Sequence, residues 1–131
     1  MFVSDTHPLL WFLTGQHSLL SKKILSAFED AIAGQSLIKI PSVVLWEIAI
    51  LDARGRIKLN NTFEHWAGKM SAVSGFDIVQ LETPIISLSV GYSFNNDIFD
   101  KAIVATAVEL DLPLITKDAA ITESNLVEVY W

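Results

Sequence analysis

Short apolar runs alternate along the chain with longer stretches of helical spacing. FVS (2–4) predicts a short buried strand, and residues 6–14 predict a helix ending near Gly15. Ile24, Leu25, Phe28 and Ile32 fall on one helical stripe within residues 21–33, with Gly34 as the stop. LIKI (37–40) predicts a strand, and Ser42 is a suitable N-cap for a helix from Val43 to about Ala53. Phe63, Trp66 and Met70 mark an amphipathic helix over residues 62–73, closed by Gly75. FDIVQL (76–81) predicts a strand. Thr83-Pro84 then opens a helix to about Val90, with proline at the first helical position. After a polar loop, residues 99–110 are helical, with Ile103, Val104, Ala107 and Val108 inward. LPLIT (112–116) predicts a strand, Lys117-Asp118 a turn, and LVEVYW (126–131) a final strand.

Strands alternating with helices imply an α/β fold: a mostly parallel sheet with helices on both faces. In such sheets, sites form beyond the carboxyl ends of the strands, where the strand order reverses. Asp5 follows the first predicted strand at its carboxyl end, and Asp118 follows LPLIT in the same way.

Composition narrows the classes of function. At 131 residues the chain is expected to form one domain, residues 1–131, and the 51% apolar content supports a folded core. With no cysteine, a disulfide framework and a thiolate metal site are both excluded, which fits a reducing, cytoplasmic setting. No basic leader precedes the first apolar run, which Asp5 and His7 interrupt, so no secretion signal is expected. The apolar run 43–51 is too short to span a bilayer and contains Glu47, so no membrane partner is expected. A net charge of −6 argues against holding nucleic acid on a broad basic surface. It leaves open an approach to nucleic acid through metal ions.

Five acids stand out, and capping competes with chemistry for most of them. Capping a helix at Thr6 or His7 would alone account for Asp5, and a cap or turn role would account for Asp118. Asp97 and Asp100 imitate a capping box at the start of the helix that follows, where the helix dipole favours negative charge. Asp100 also suits a metal ligand, since a first-turn carboxylate can point into a cleft. Glu47 is the only charged residue in VVLWEIAIL (43–51). In a helix apolar all round, such a carboxylate is paired, neutralised, metal-bound or facing water through a cleft, unless it sits unpaired on the surface.

Asp5, Glu47, Asp100 and Asp118 come from four separate elements, each placed to reach one end of the sheet. Gathered carboxylates raise one another's pKa values unless a cation lies between them. Hard oxygen ligands without cysteine select Mg²⁺ or Mn²⁺. Such an ion lowers the pKa of a water and holds a phosphate oxygen, which suits phosphodiester hydrolysis.

SDTHPLLWFL, PSVVLWEIAILDARGRIKL and DIFDKAIVATAVELDLPLITKD, with the spacing between them, resemble the PIN domain, and more narrowly the VapC-like toxins of bacterial toxin–antitoxin modules. The resemblance covers essentially the whole chain. It implies a single PIN-like domain with a parallel sheet of about five strands, and a Mg²⁺- or Mn²⁺-dependent endoribonuclease leaving a 3′-hydroxyl and a 5′-phosphate. The four acids of the family pattern fall on Asp5, Glu47, Asp100 and Asp118, the expected catalytic and metal-holding set. Thr116 matches the hydroxyl residue before the last acid, and Thr6 is grouped with it as accessory. Asp97 matches an extra acid of the toxin subgroup, where the usual pattern is Asp-Pro-Phe-Asp; here Ile98 replaces the proline. His7 stands where many relatives have asparagine and is read as a structural residue at the edge of the site.

The resemblance also implies partners: an RNA substrate, a cognate antitoxin whose tail lies over the active-site groove, and a second copy in a homodimer. Trp11, Phe12, Trp46 and Trp66 are read as core, interface or antitoxin contacts, with core the default for each. Arg54, Arg56 and Lys58 form the only local basic cluster, read either as a solvated helix end or as RNA phosphate contacts. Two rivals complete the set. A phosphoacceptor domain would need an acid pair after the first strand and an aspartate after the central one. The sequence has a lone Asp5 and no aspartate ending LIKI. A catalytically degenerate PIN scaffold, binding RNA or protein without cutting, is the other; the presence of all four acids argues against it.

Overall fold

The computed structural model describes all residues from Met1 to Trp131. Five parallel strands form one sheet: β1 (Phe2–Ser4), β2 (Ile38–Pro41), β3 (Phe76–Val79), β4 (Leu114–Ile115) and β5 (Val129–Tyr130), in the order β3-β2-β1-β4-β5. Seven helices connect them: α1 (Thr6–Leu13), α2 (Lys22–Ile32), α3 (Ser42–Ala53), α4 (Phe63–Ser71), α5 (Thr83–Val90), α6 (Ile98–Leu110) and α7 (Ala119–Ser124).

The chain leaves β1 towards β2 and β3, then returns past β1 to β4 and β5. Right-handed crossovers therefore place the outward connections on one face of the sheet and the return connections on the other. The reversal lies between β1 and β4, and their carboxyl ends flank the crevice it creates. Val3, Ile38, Ile40, Leu114 and Ile115 are fully buried, as a sheet covered on both faces requires. Phe28 of α2, Ile48 of α3 and Ile103 of α6 close the core against them. Gly75 at the entry to β3 is obligatory: a Cβ there would lie 1.9 Å from the Ala31 carbonyl oxygen of α2.

Several local expectations need correction. Ser42 does not cap α3; it is the first helical residue, and its hydroxyl accepts from the Leu81 amide at 3.2 Å. Asp118 begins α7, a helix that the alternating pattern did not reveal, and His17–Leu19 form a short 3₁₀ turn. The last two predicted strands shrink to two residues each, because the neighbours β1 and β4 offer only short ladders to pair with. Nor is α3 buried all round: Trp46 is 53% exposed and lies edge-on against Phe99, so it leaves the core. Trp11, Phe12 and Trp66 are partly buried against the core.

Candidate active site

Only five polar side chains are buried: Ser4, Asp5, Thr6, Thr106 and Thr116. Four of them sit where β1 and β4 end, and this concentration of buried polarity locates the site. Strand register explains the meeting of Asp5 and Thr116. Ser4 pairs with Ile115, so the next residue of each strand emerges side by side at the crevice. The Asp5 amide donates to the Ile115 carbonyl at 3.0 Å, extending the ladder by one step.

Asp5 uses both carboxylate oxygens. Oδ1 accepts from the Thr6 amide at 2.7 Å, capping α1, and Oδ2 accepts from the Thr116 hydroxyl at 2.6 Å. Burial pushes its pKa above the ordinary value; the two hydrogen bonds and His7 oppose that rise, and the Asp118 charge adds to it. The Thr116 hydroxyl also accepts from the Asp118 amide at 3.1 Å, and Asp118 Oδ1 accepts from the Ile121 amide at 2.9 Å, capping α7.

Glu47 is half-buried on α3 and reaches the same place. Its Oε1 accepts from the Thr6 hydroxyl at 2.5 Å. Burial raises its pKa first, and the charges of Asp5 and Asp97 raise it further against the Thr6 bond and His7. Asp97 caps α6 by accepting from the amides of Phe99 and Asp100 at 2.8 and 3.3 Å. Asp100, in the first turn of α6, is pushed up to about 7, mainly by burial and then by Asp5, Asp97 and Asp118; its bond from Asn95 works the other way. The acids named from the sequence therefore share one electrostatic environment, while three of them also cap helices. Capping and convergence are the same arrangement here: a carboxylate that caps a helix at the end of a parallel strand already faces the crevice.

Asn95 was not singled out from the sequence. Its side-chain amide donates to Asp100 Oδ2 at 2.8 Å while its oxygen accepts from the Asp97 amide at 3.0 Å. The signal was present in NND (95–97), a stretch prone to side chain–backbone turns. Of the basic cluster, Arg54 caps the end of α3, whereas Arg56 and Lys58 line a cleft together with His7 and Trp11.

The donor set fits a hard divalent cation: carboxylate oxygens, no sulfur, and repulsion between like charges that such an ion would relieve. No three of these side chains stand as a ready-made ligand cage. Each oxygen has a second lone pair, and Asp118, Asp100 and Glu47 each keep one oxygen without a protein donor.

Residues 2–124 match the PIN domain family model. This chain belongs to the PIN domain family. No curated protein matches its sequence. Among solved structures the PIN fold here is similar to a toxin–antitoxin complex from Klebsiella pneumoniae, with 20% identity, TM-score 0.66 and coverage of 97% of this chain and 95% of that one. It is also similar to VapBC2 from Rickettsia felis bound to a promoter DNA fragment, with 13% identity, TM-score 0.69 and coverage of 99% and 98%. FitAcB from Neisseria gonorrhoeae gives 16% identity, TM-score 0.66 and coverage of 100% and 97%. At these identities the likeness concerns the fold.

Proposed function

We propose that this PIN domain is a divalent-metal-dependent endoribonuclease, the toxin component of a type II toxin–antitoxin module acting in the cytoplasm. What supports the reading is the mutual influence of acids from separate elements near the crevice between β1 and β4: the charges of Asp5 and Asp97 act on Glu47, and those of Asp5, Asp97 and Asp118 act on Asp100. Asp5, Asp100 and Asp118 would hold Mg²⁺ or Mn²⁺, directly or through water. When bound, such an ion makes a water acidic enough to attack at neutral pH and offsets charge on the phosphate oxygens.

The chain's own residues do the rest. Thr116 fixes the Asp5 carboxylate and, through the Asp118 amide, the start of α7. Thr6 fixes Glu47 Oε1, leaving Oε2 as the oxygen that takes the proton of the attacking water. Water supplies a hydroxyl to phosphorus, and the departing 3′ oxygen acquires a proton, so the products carry a 5′-phosphate and a 3′-hydroxyl. Asn95 and Asp97 hold Asp100 at the mouth of the site.

The toxin assignment draws on the solved neighbours of the fold, a toxin–antitoxin complex and VapBC2. It brings two expected partners, a cognate antitoxin and a second copy of the chain. Trp46, Ile86, Val90 and Ile98 are exposed apolar side chains that such partners would cover. No helix is long and apolar enough to cross a membrane.

Purified protein incubated with RNA and Mn²⁺, with and without chelator, tests the reading. Cleavage that needs the metal and disappears in Asp118→Asn supports it. Binding of RNA without any cleavage would instead favour a degenerate scaffold.

A further inference from the structure

Among the acids of the site, Asp100 is held by a carboxamide. Asn95 Nδ2 donates to its Oδ2 at 2.8 Å. Asp5 and Glu47 accept instead from the hydroxyls of Thr116 and Thr6, and Asp118 accepts from the Ile121 amide. Asn95 belongs to no helix or strand; it lies half-buried in the loop between α5 and α6.

Three hydrogen bonds close a ring over residues 95–100. The Asn95 oxygen accepts from the Asp97 amide at 3.0 Å, Asp97 Oδ1 accepts from the Asp100 amide at 3.3 Å, and Asn95 Nδ2 returns to the Asp100 carboxylate. A backbone N–H can meet only the oxygen of the Asn95 carboxamide, so its NH₂ end is the one that faces Asp100. One short segment therefore holds both the backbone and the side chain of Asp100. It does so without a proline: Ile98 occupies the first position of α6, where proline would preset φ. The turn itself needs only an acceptor at position 95, which serine or aspartate would also provide. The donor is what asparagine adds, and it goes to Asp100.

That donor works against the rest of the site. The charges of Asp5, Asp97 and Asp118 all bear on Asp100. Like charges of this kind would turn a free side chain out to water, and the Asn95 bond keeps it in place. Held by Oδ2, Asp100 retains Oδ1 without a protein donor. Partners that orient a ligand from behind raise metal affinity, because the ligand is already ordered when the ion arrives. Resting on the divalent-cation reading of the site, we propose that Asn95 is a positioning residue: it presets the Asp100 carboxylate, with Oδ1 free, for the cation.

Mn²⁺ binding to the full chain, followed by the electron paramagnetic resonance signal of the free ion with no RNA present, tests this. Asn95→Ser keeps an acceptor for the Asp97 amide and loses the donor to Asp100. It is expected to melt in EDTA near the parent temperature and to bind Mn²⁺ about 10- to 100-fold more weakly. Asn96→Ser, at the exposed neighbour outside the ring, is expected to bind as the parent does. Because Asn95 acts through Asp100, adding Asn95→Ser to Asp100→Asn is expected to cost no further affinity. Parent-like affinity in Asn95→Ser overturns the proposal, as does equal weakening in Asn96→Ser. So does a double variant about tenfold weaker than Asp100→Asn alone, since Asn95 would then act on the loop and not on Asp100. In each of these outcomes the parent binds Mn²⁺ and the metal reading stands; a parent that binds none removes both.

Discussion

Thr116 Oγ1 lies 2.6 Å from Asp5 Oδ2, joining the end of β4 to the end of β1 across 111 residues of sequence. Both residues are buried, and the same hydroxyl accepts from the Asp118 amide. One side chain thus ties two acids of the candidate site to the topological reversal of the sheet.

Thr116→Val deletes that link at nearly constant volume. It leaves a buried carboxylate oxygen without its donor and the Asp118 amide without its acceptor. The expected cost is about 1–3 kcal/mol, read as a lower urea midpoint at unchanged slope. Thr116→Ser keeps the hydroxyl and loses one methyl, so its cost is held to about 1 kcal/mol. Equal losses in the two variants would show that packing, and not the hydrogen bond, is what matters at this position.

Asp5 separates structure from chemistry. Asn at this position retains an oxygen to accept from the Thr6 amide, so Asp5→Asn is expected to keep the melting temperature of the metal-free protein or raise it, because burial disfavours the ionised form. Asp5→Ala loses the cap and is expected to cost about 1 kcal/mol. Both variants are expected to lose RNA cleavage. Thermal melts beside cleavage assays check the pair; a well-folded Asp5→Asn that still cuts removes Asp5 from the catalytic set.

Asp100 sets a pH dependence of stability. Its pKa is about 7 in the folded chain, against an ordinary value of 3.8. Below the lower value both states carry the proton and nothing changes. Between roughly pH 4 and 7 the unfolded chain gives up its proton first, so the folded state loses stability as pH rises; above that window the loss is complete. Urea unfolding of the metal-free protein at pH 5 and pH 8 should show lower stability at pH 8 from this group. In Asp100→Asn that part of the difference should vanish. An unchanged pH profile in the variant would mean that another group is responsible.

Much of this was legible in the sequence, for identifiable reasons. Short β-branched runs such as IKI, separated by stripes such as Ile24, Leu25 and Phe28, determine a parallel α/β sheet because few other arrangements bury both patterns; Ile32, on the same stripe, ends up exposed at the end of α2. Asp5 and Asp118 could be placed at one end of that sheet because strand polarity and right-handed crossovers leave little choice. The exposure of Trp46 could not be foreseen from α3, since an apolar position looks the same in sequence whether it is covered by the core or left on the surface. α7 escaped because a six-residue helix has too few turns to show a period. Asn95 escaped because its partner Asp100 becomes a neighbour only through the turn that precedes α6.

The central claim is that acids from four elements grip one or two divalent cations at the end of β1 and β4. Anomalous diffraction from a crystal soaked in Mn²⁺ tests it most directly. The account predicts a peak within coordinating distance of the carboxylates of Asp5, Asp100 and Asp118, with Glu47 close enough to reach it through water. A crystal saturated with Mn²⁺ that shows no peak among these side chains would contradict it.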